Sequence, residues 1–244
     1  MIRRVVPILA VLALIAQASF PTPARAQSSD PSKEPPKITI PNGGVPQALT
    51  MDGRYVRAAY KNEAYTILGY RLANLSVGEE WLLLEVGIAL REKTKDYTLT
   101  RNEVSLDTPD GKTLPLPGIQ EYRQANVSAL KARERVQRDS INYFPPNAYQ
   151  ACAIQFFPDL DQRAMPYDEV ELTNHRACLG RFYFKIPGGV TYGQHWLNVK
   201  FADSTLRVPF RILTKDEEKV LEKHYKSIKK QVDEAFKPPK KDKK

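Results

Sequence analysis

The chain carries three histidines, His175, His195 and His224, and two cysteines, Cys152 and Cys178, so metal or nucleophile chemistry would have to be assembled from few parts. No two histidines stand three or four positions apart, the spacing a helical zinc site uses. His195 falls in a strand pattern beside Trp196. A buried or cross-strand imidazole accounts for it better than a ligand or general base, which would need a partner within hydrogen-bond reach. The cysteines, 26 positions apart, match neither the close spacing of metal-ligand pairs nor C-x-x-C. In an oxidising compartment such a pair reads as a disulfide, closing a loop that contributes about 3.5 kcal/mol on the chain-entropy account. If they were reduced, His175 near Cys178 would offer a Cys/His site; oxidised sulfur is neither ligand nor nucleophile.

Glu79-Glu80 and Asp168-Glu169 lie beside strand starts, where acidic pairs are more often solvated turns than the two carboxylates of a hydrolase. Asp159 and Asp161 lack the glycine and distal glutamate of a calcium loop. There is no G-x-S-x-G, S-x-x-K, H-E-x-x-H, Walker or G-x-G-x-x-G motif. No catalytic residue, metal ligand or cofactor is therefore assigned.

Two features have the chemistry of binding. Tyr143, Phe144 and Tyr149, stiffened by Pro145 and Pro146, form an aromatic loop suited to protein or sugar contact, unless its rings pack inward over the open end of a β core. The end of the chain, with Lys237, Lys240, Lys241, Lys243 and Lys244, is either an electrostatic contact for anionic surfaces or a solubilising tail.

The elements that must position these groups follow from periodicity. Residues 1–26 read as a signal peptide: Arg3 and Arg4, an apolar run from Val5 to Ala16, and Ala24-Arg25-Ala26 for cleavage. Its loss removes three arginines and no acid, lowering the formal charge from +9 to +6, and leaves no apolar stretch of membrane length. The lysine tail carries most of that charge, so the body lacks the basic surface of a nucleic-acid binder. Prolines punctuate a leader over 27–54. Alternation then predicts strands over 65–74, 82–90 and 97–107, the last ending in a Thr108-Pro109-Asp110-Gly111 turn. Further strands are expected at 182–186, 195–201 and 206–212, with Pro209 implying an edge or bulge. Short candidates at 151–157 and 169–173 are placed so that the disulfide would pin them together.

Between them, Glu121 to Asp139 predicts one amphipathic helix, with Tyr122, Ala125, Ala129, Ala132 and Val136 as its buried stripe. Thr214 and Glu217 open a second helix with a capping box, and Leu221, Tyr225, Ile228, Val232 and Ala235 line one face of it. The expected order is thus a β-sandwich domain over 55–213 with a helical insertion near 119–139, a C-terminal helix over 214–237, and the tail over 238–244.

Short strands, Gly/Pro turns, a terminal hairpin and an exported disulfide predict a mainly β protein, an antiparallel immunoglobulin-like β-sandwich with two added helices. Glu80-Trp81-Leu82-Leu83-Leu84-Glu85-Val86, the Asp110-Gly111 hairpin, Arg181-Phe182-Tyr183-Phe184-Lys185-Ile186-Pro187 and Leu197-Asn198-Val199-Lys200-Phe201 resemble the secreted bacterial immunoglobulin-like, telokin-like sandwich families of unknown function. The resemblance covers residues 60–115 and 180–213, implies no catalytic residues, and omits the Trp and disulfide arrangement of antibody domains. The expectation is a periplasmic or secreted, non-enzymatic protein of binding or assembly at the cell envelope. Its partner would be a protein or an envelope polymer, or a second copy through the C-terminal helix. The alternatives are a glycan- or peptide-binding module using the aromatic loop, and a hydrolase whose site is not visible in sequence.

Overall fold

In the computed structural model, which describes residues 36–39, 44, 47–158 and 165–236, alternating apolar residues build two packed sheets. The first four strands form an antiparallel meander: β1 (Ala48–Gly53), β2 (Val56–Tyr60), β3 (Ala64–Gly69) and β4 (Trp81–Leu90). They are followed by β5 (Tyr97–Thr100), β6 (Val104–Asp107), β7 (Thr113–Pro115), β8 (Gln150–Ile154), β9 (Glu169–Leu172), β10 (Arg176–Lys185), β11 (Gly193–Lys200) and β12 (Thr205–Ile212). One sheet runs β1-β2-β3-β4-β10-β8, the other β12-β11-β6-β7, and β5 pairs with β9 separately. All these pairings are antiparallel except β8 with β10. The architecture is the mainly β, sandwich-like one that the alternation predicts.

β4 is central and buried at every position, as its double apolar character requires. Leu82, Leu84, Val86 and Ile88 share one core with Leu197, Val199, Leu206 and Val208 of the facing sheet. The opposite face carries Glu85 and Gly87, and the segment from Arg138 to Phe144 covers it.

Several boundaries differ from the sequence reading, each for a local reason. Pairing begins at Ala48, inside the segment read as leader, because Ala48, Leu49 and Met51 are apolar enough to be buried beyond its last proline. The strand expected over 65–74 ends at Gly69 and passes into a short helix, α1 (Arg71–Asn74), whose Leu72 and Ala73 are buried. The strand expected over 97–107 is two strands in different sheets, separated by a single 3-10 turn, Arg101–Glu103, that Thr100 and Glu103 cap reciprocally.

The single helix expected over 121–139 is two helices, α2 (Ile119–Gln124) and α3 (Ser128–Val136), broken where Val127 turns inward. The alanine stripe faces out or only half in, and Val136 is 82% exposed. α3 docks instead through Leu130 and a buried Glu134, which reaches Arg181 of β10 at 2.8 Å and Arg138 at 3.2 Å. α2 is held by an aromatic trio, the Tyr122 ring lying 5.0 Å from Phe157 and 4.9 Å from Tyr183.

The C-terminal helix, α4 (Lys215–Ala235), opens on the expected Thr214/Glu217 capping box and kinks at His224. Leu221, Ile228 and Val232 pack on Met51 of β1. Part of the helix's apolar face is thus packed on its own domain. No helix among the described residues is long and apolar enough to cross a membrane.

Candidate functional site at the β8 edge

The aromatic loop divides into a packed half and an exposed half. Phe144 lies against β4, where a Cβ at Gly87 would sit 2.7 Å from its ring, and it joins Val56, Ala58, Ile67 and Ile141. That ring fills a niche only glycine leaves open. Asn147 fixes the loop by donating to Leu90 O (3.2 Å) and Asn174 O (2.5 Å). Tyr143 and Tyr149 remain exposed, at 45% and 69%, and the Tyr149 ring lies 5.4 Å from that of His175. Tyr149 immediately precedes β8.

β8 is an edge strand, and its register decides what the edge presents. Gln150 donates its N–H to His175 O (2.8 Å) in a parallel pairing that sets Cys152 opposite Cys178. Gln150, Cys152 and Ile154 therefore turn their N–H and C=O toward β10, and Ala151 and Ala153 turn theirs outward. Neither alanine has a hydrogen-bond partner on that side among the described residues, and both are exposed. The open stretch ends where Gln155 O accepts the Tyr167 N–H (3.1 Å), with Tyr167 itself 55% exposed.

The disulfide and a buried arginine stiffen this edge. Cys152 and Cys178 are bonded, tying β8 to β10; β9 pairs with β5, so the disulfide does not join the two short strands expected to share it. Beyond β8, Arg101 donates to Phe156 O (2.6 Å) and Pro117 O (3.1 Å) and pairs with Asp168 (3.0 Å). Its guanidinium also lies over the Phe156 and Phe157 rings, at 5.4 and 4.8 Å. Arg101 gave no sequence signal, because an arginine within a strand pattern reads as a surface residue until three separate segments converge on it.

Two other edges, β1 and β12, are guarded. At β1, Met51 gives its N–H to Asp233 (3.1 Å) and its C=O to the Lys229 ammonium (2.6 Å), so one i,i+4 ion pair of α4 takes the place of a neighbouring strand. At β12, the Gln47 side-chain amide both accepts the Arg207 N–H (2.9 Å) and donates to Arg207 O. Two residues on, Pro209 has the same orientation, so its missing donor faces outward, as an edge proline must. β8 has neither a charged side chain nor a proline, the usual devices against strand addition.

The remaining chemical candidates are accounted for structurally. With the cysteines oxidised, His175 has no thiolate partner. His195 is fully buried and stacked on Phe210, with Nδ1 3.1 Å from Gly193 O. A carbonyl only accepts, so Nδ1 carries the proton and Nε2 is a buried acceptor with no partner among the described residues. Glu79 pairs with Arg133, Glu80 with Lys185 and Asp168 with Arg101. Glu85 and Asp139 line a cleft of about 500 Å³, and burial raises both carboxyls above the ordinary range. Each is committed to docking the insertion, Glu85 to the Asp139 N–H and Arg138, Asp139 to the Arg71 N–H and side chain. No group of three metal-ligating side chains occurs among the described residues. Asp159, Asp161 and Lys237 to Lys244 lie outside them. In comparison with known proteins, no family model matches the chain, and no curated protein or solved structure matches it.

Proposed function

We propose that this chain is an exported, non-enzymatic binding module that accepts an extended peptide segment along β8, as an added strand. The observation that carries this reading is the outward N–H and C=O of Ala151 and Ala153 on a strand without a guard, while β1 and β12 are capped by side chains. Main-chain pairing would supply affinity, each hydrogen bond worth about 1 kcal/mol net, and the flanking Tyr149 and Tyr167 rings would select side chains. The disulfide supports the exported part of the reading, since such bonds persist in oxidising compartments. Kinship with the secreted immunoglobulin-like sandwiches belongs to the same proposal. The lysine tail would add a salt-sensitive contact with anionic envelope polymer.

Proline at position 151 or 153 removes an outward donor without touching the ladder to β10. A151P and A153P are expected to bind alternating valine–threonine peptides about tenfold more weakly, or not at all, with little change in thermal stability. Alanine in place of Tyr149 should weaken the same binding, whereas F144A should lower stability. Titration calorimetry checks the binding of the first three, and thermal unfolding checks the stability of all four. Equal affinity in wild type and both proline variants would exclude the edge as the site.

A further inference from the structure

Between α4 and the sandwich lies a cleft of about 550 Å³, remote in sequence from β8 and independent of the reading above. Tyr70, Phe210 and Leu213 form one wall and Val220, Leu221 and Ile228 of α4 the other, so its interior is apolar. Its size lies within the range of small-molecule sites. Charges stand at its rim, and most are already balanced. Arg211 pairs with Glu217 at 2.7 Å and Asp216 with Lys219 at 3.2 Å.

Arg57 is the exception. Its NH1 donates to the carbonyls of Gly53 (3.1 Å), Arg54 (3.3 Å) and Val56 (3.0 Å), and the guanidinium lies 5.2 Å from the Tyr70 ring centroid, so the side chain is fixed in place. No carboxylate among the described residues is within ion-pair distance of it; Asp139, which feels its charge, is held by Arg71. A side-chain hydrogen bond with Tyr70 holds the guanidinium further, and its charge, which has no ion-pair partner among the described residues, is complementary to a carboxylate. An apolar cleft with one such guanidinium in its lining is complementary to an unbranched acyl chain ending in a carboxylate.

We infer that this cleft binds a fatty-acid-like carboxylate, its chain against α4 and its head group on Arg57. Saturable uptake of one decanoate per chain is expected by titration calorimetry. Decanol, which has the same chain without the charge, should bind about tenfold more weakly, and decyltrimethylammonium more weakly still. R57Q should bring decanoate to the affinity of decanol, and V220W, which fills the cleft from a half-exposed position, should abolish uptake of all three. The head-group series on the unaltered protein keeps the test independent of how R57Q folds. Equal affinity for the three probes would overturn the assignment to Arg57. Uptake of none, as expected if the cleft is filled by the chain itself or by a second copy, would overturn the proposal.

Discussion

Replacing Cys152 and Cys178 together by alanine is expected to lower the stability of the protein by about 3.5 kcal/mol, the chain-entropy value for a 26-residue loop. The effect acts mainly through the unfolded chain, which regains the conformations the cross-link denies it. A native-state contribution adds to it. Cys178 is fully buried and Cys152 sits directly across the β8–β10 pair, at the strand that has only one neighbour. Denaturant unfolding of the oxidised protein, of the same protein under reductant, and of the double variant measures it. The latter two should agree; a loss below about 1 kcal/mol in both would mean that the edge is held by its ladder and by Arg101 alone.

The second large effect is a dependence of stability on pH that originates at His195. Burial pulls this imidazole down to about pKa 4, against 6.5 for the free side chain, so it stays neutral in the folded protein. Between those values the unfolded chain binds a proton that the folded one refuses. Stability is therefore fully present above pH 6.5 and declines as the pH falls toward 4, by about 3 kcal/mol at about 1.4 kcal/mol per unit. Carboxyls titrate in the same region with mixed sign, since Glu85 and Asp139 are raised while the half-buried Asp107 and Glu217 are lowered. They are common to wild type and H195L, so the difference between the two unfolding profiles isolates the imidazole. H195L should lose less stability between pH 7 and pH 4.5; parallel profiles would place the proton elsewhere.

Much of this arrangement is legible from residue order alone. β11 and β12 declare themselves by alternation, β4 by apolar residues at every second position from Leu82 to Leu90, α4 by its capping box and 4-3-4-3 stripe, and the disulfide by elimination in a two-cysteine chain. Local signals fail where a distant partner decides. Nothing between Ala48 and Gly53 says that α4, almost two hundred residues later, will complete the edge of β1. The insertion reads as one alanine-faced helix because helix propensity is a property of the segment, whereas its docking depends on a charge, Arg181, in β10. Likewise the switch of sheets at Arg101–Glu103 follows from what β5 and β6 pair with, not from their own sequence.

The candidate site is legible only in part. Tyr149 was recognisable as an exposed aromatic, but grouping it with Phe144 joined a ring on the surface to one against Gly87. The open edge itself consists of backbone. Ala151 and Ala153 are unremarkable as side chains, and their significance depends on parallel register with β10, a non-local property that no spacing rule supplies.

That register also provides the most direct test of the binding reading. Residue-resolved amide hydrogen exchange, with and without a saturating alternating valine–threonine peptide, distinguishes outward from inward N–H groups on the same strand. In the free protein the Ala151 and Ala153 amides should exchange freely while Cys152, bonded toward β10, is protected; with peptide, both alanines should become protected and Cys152 should be unchanged. Alanine amides that are already slow in the free protein, or that stay fast with peptide bound, would contradict strand addition at β8.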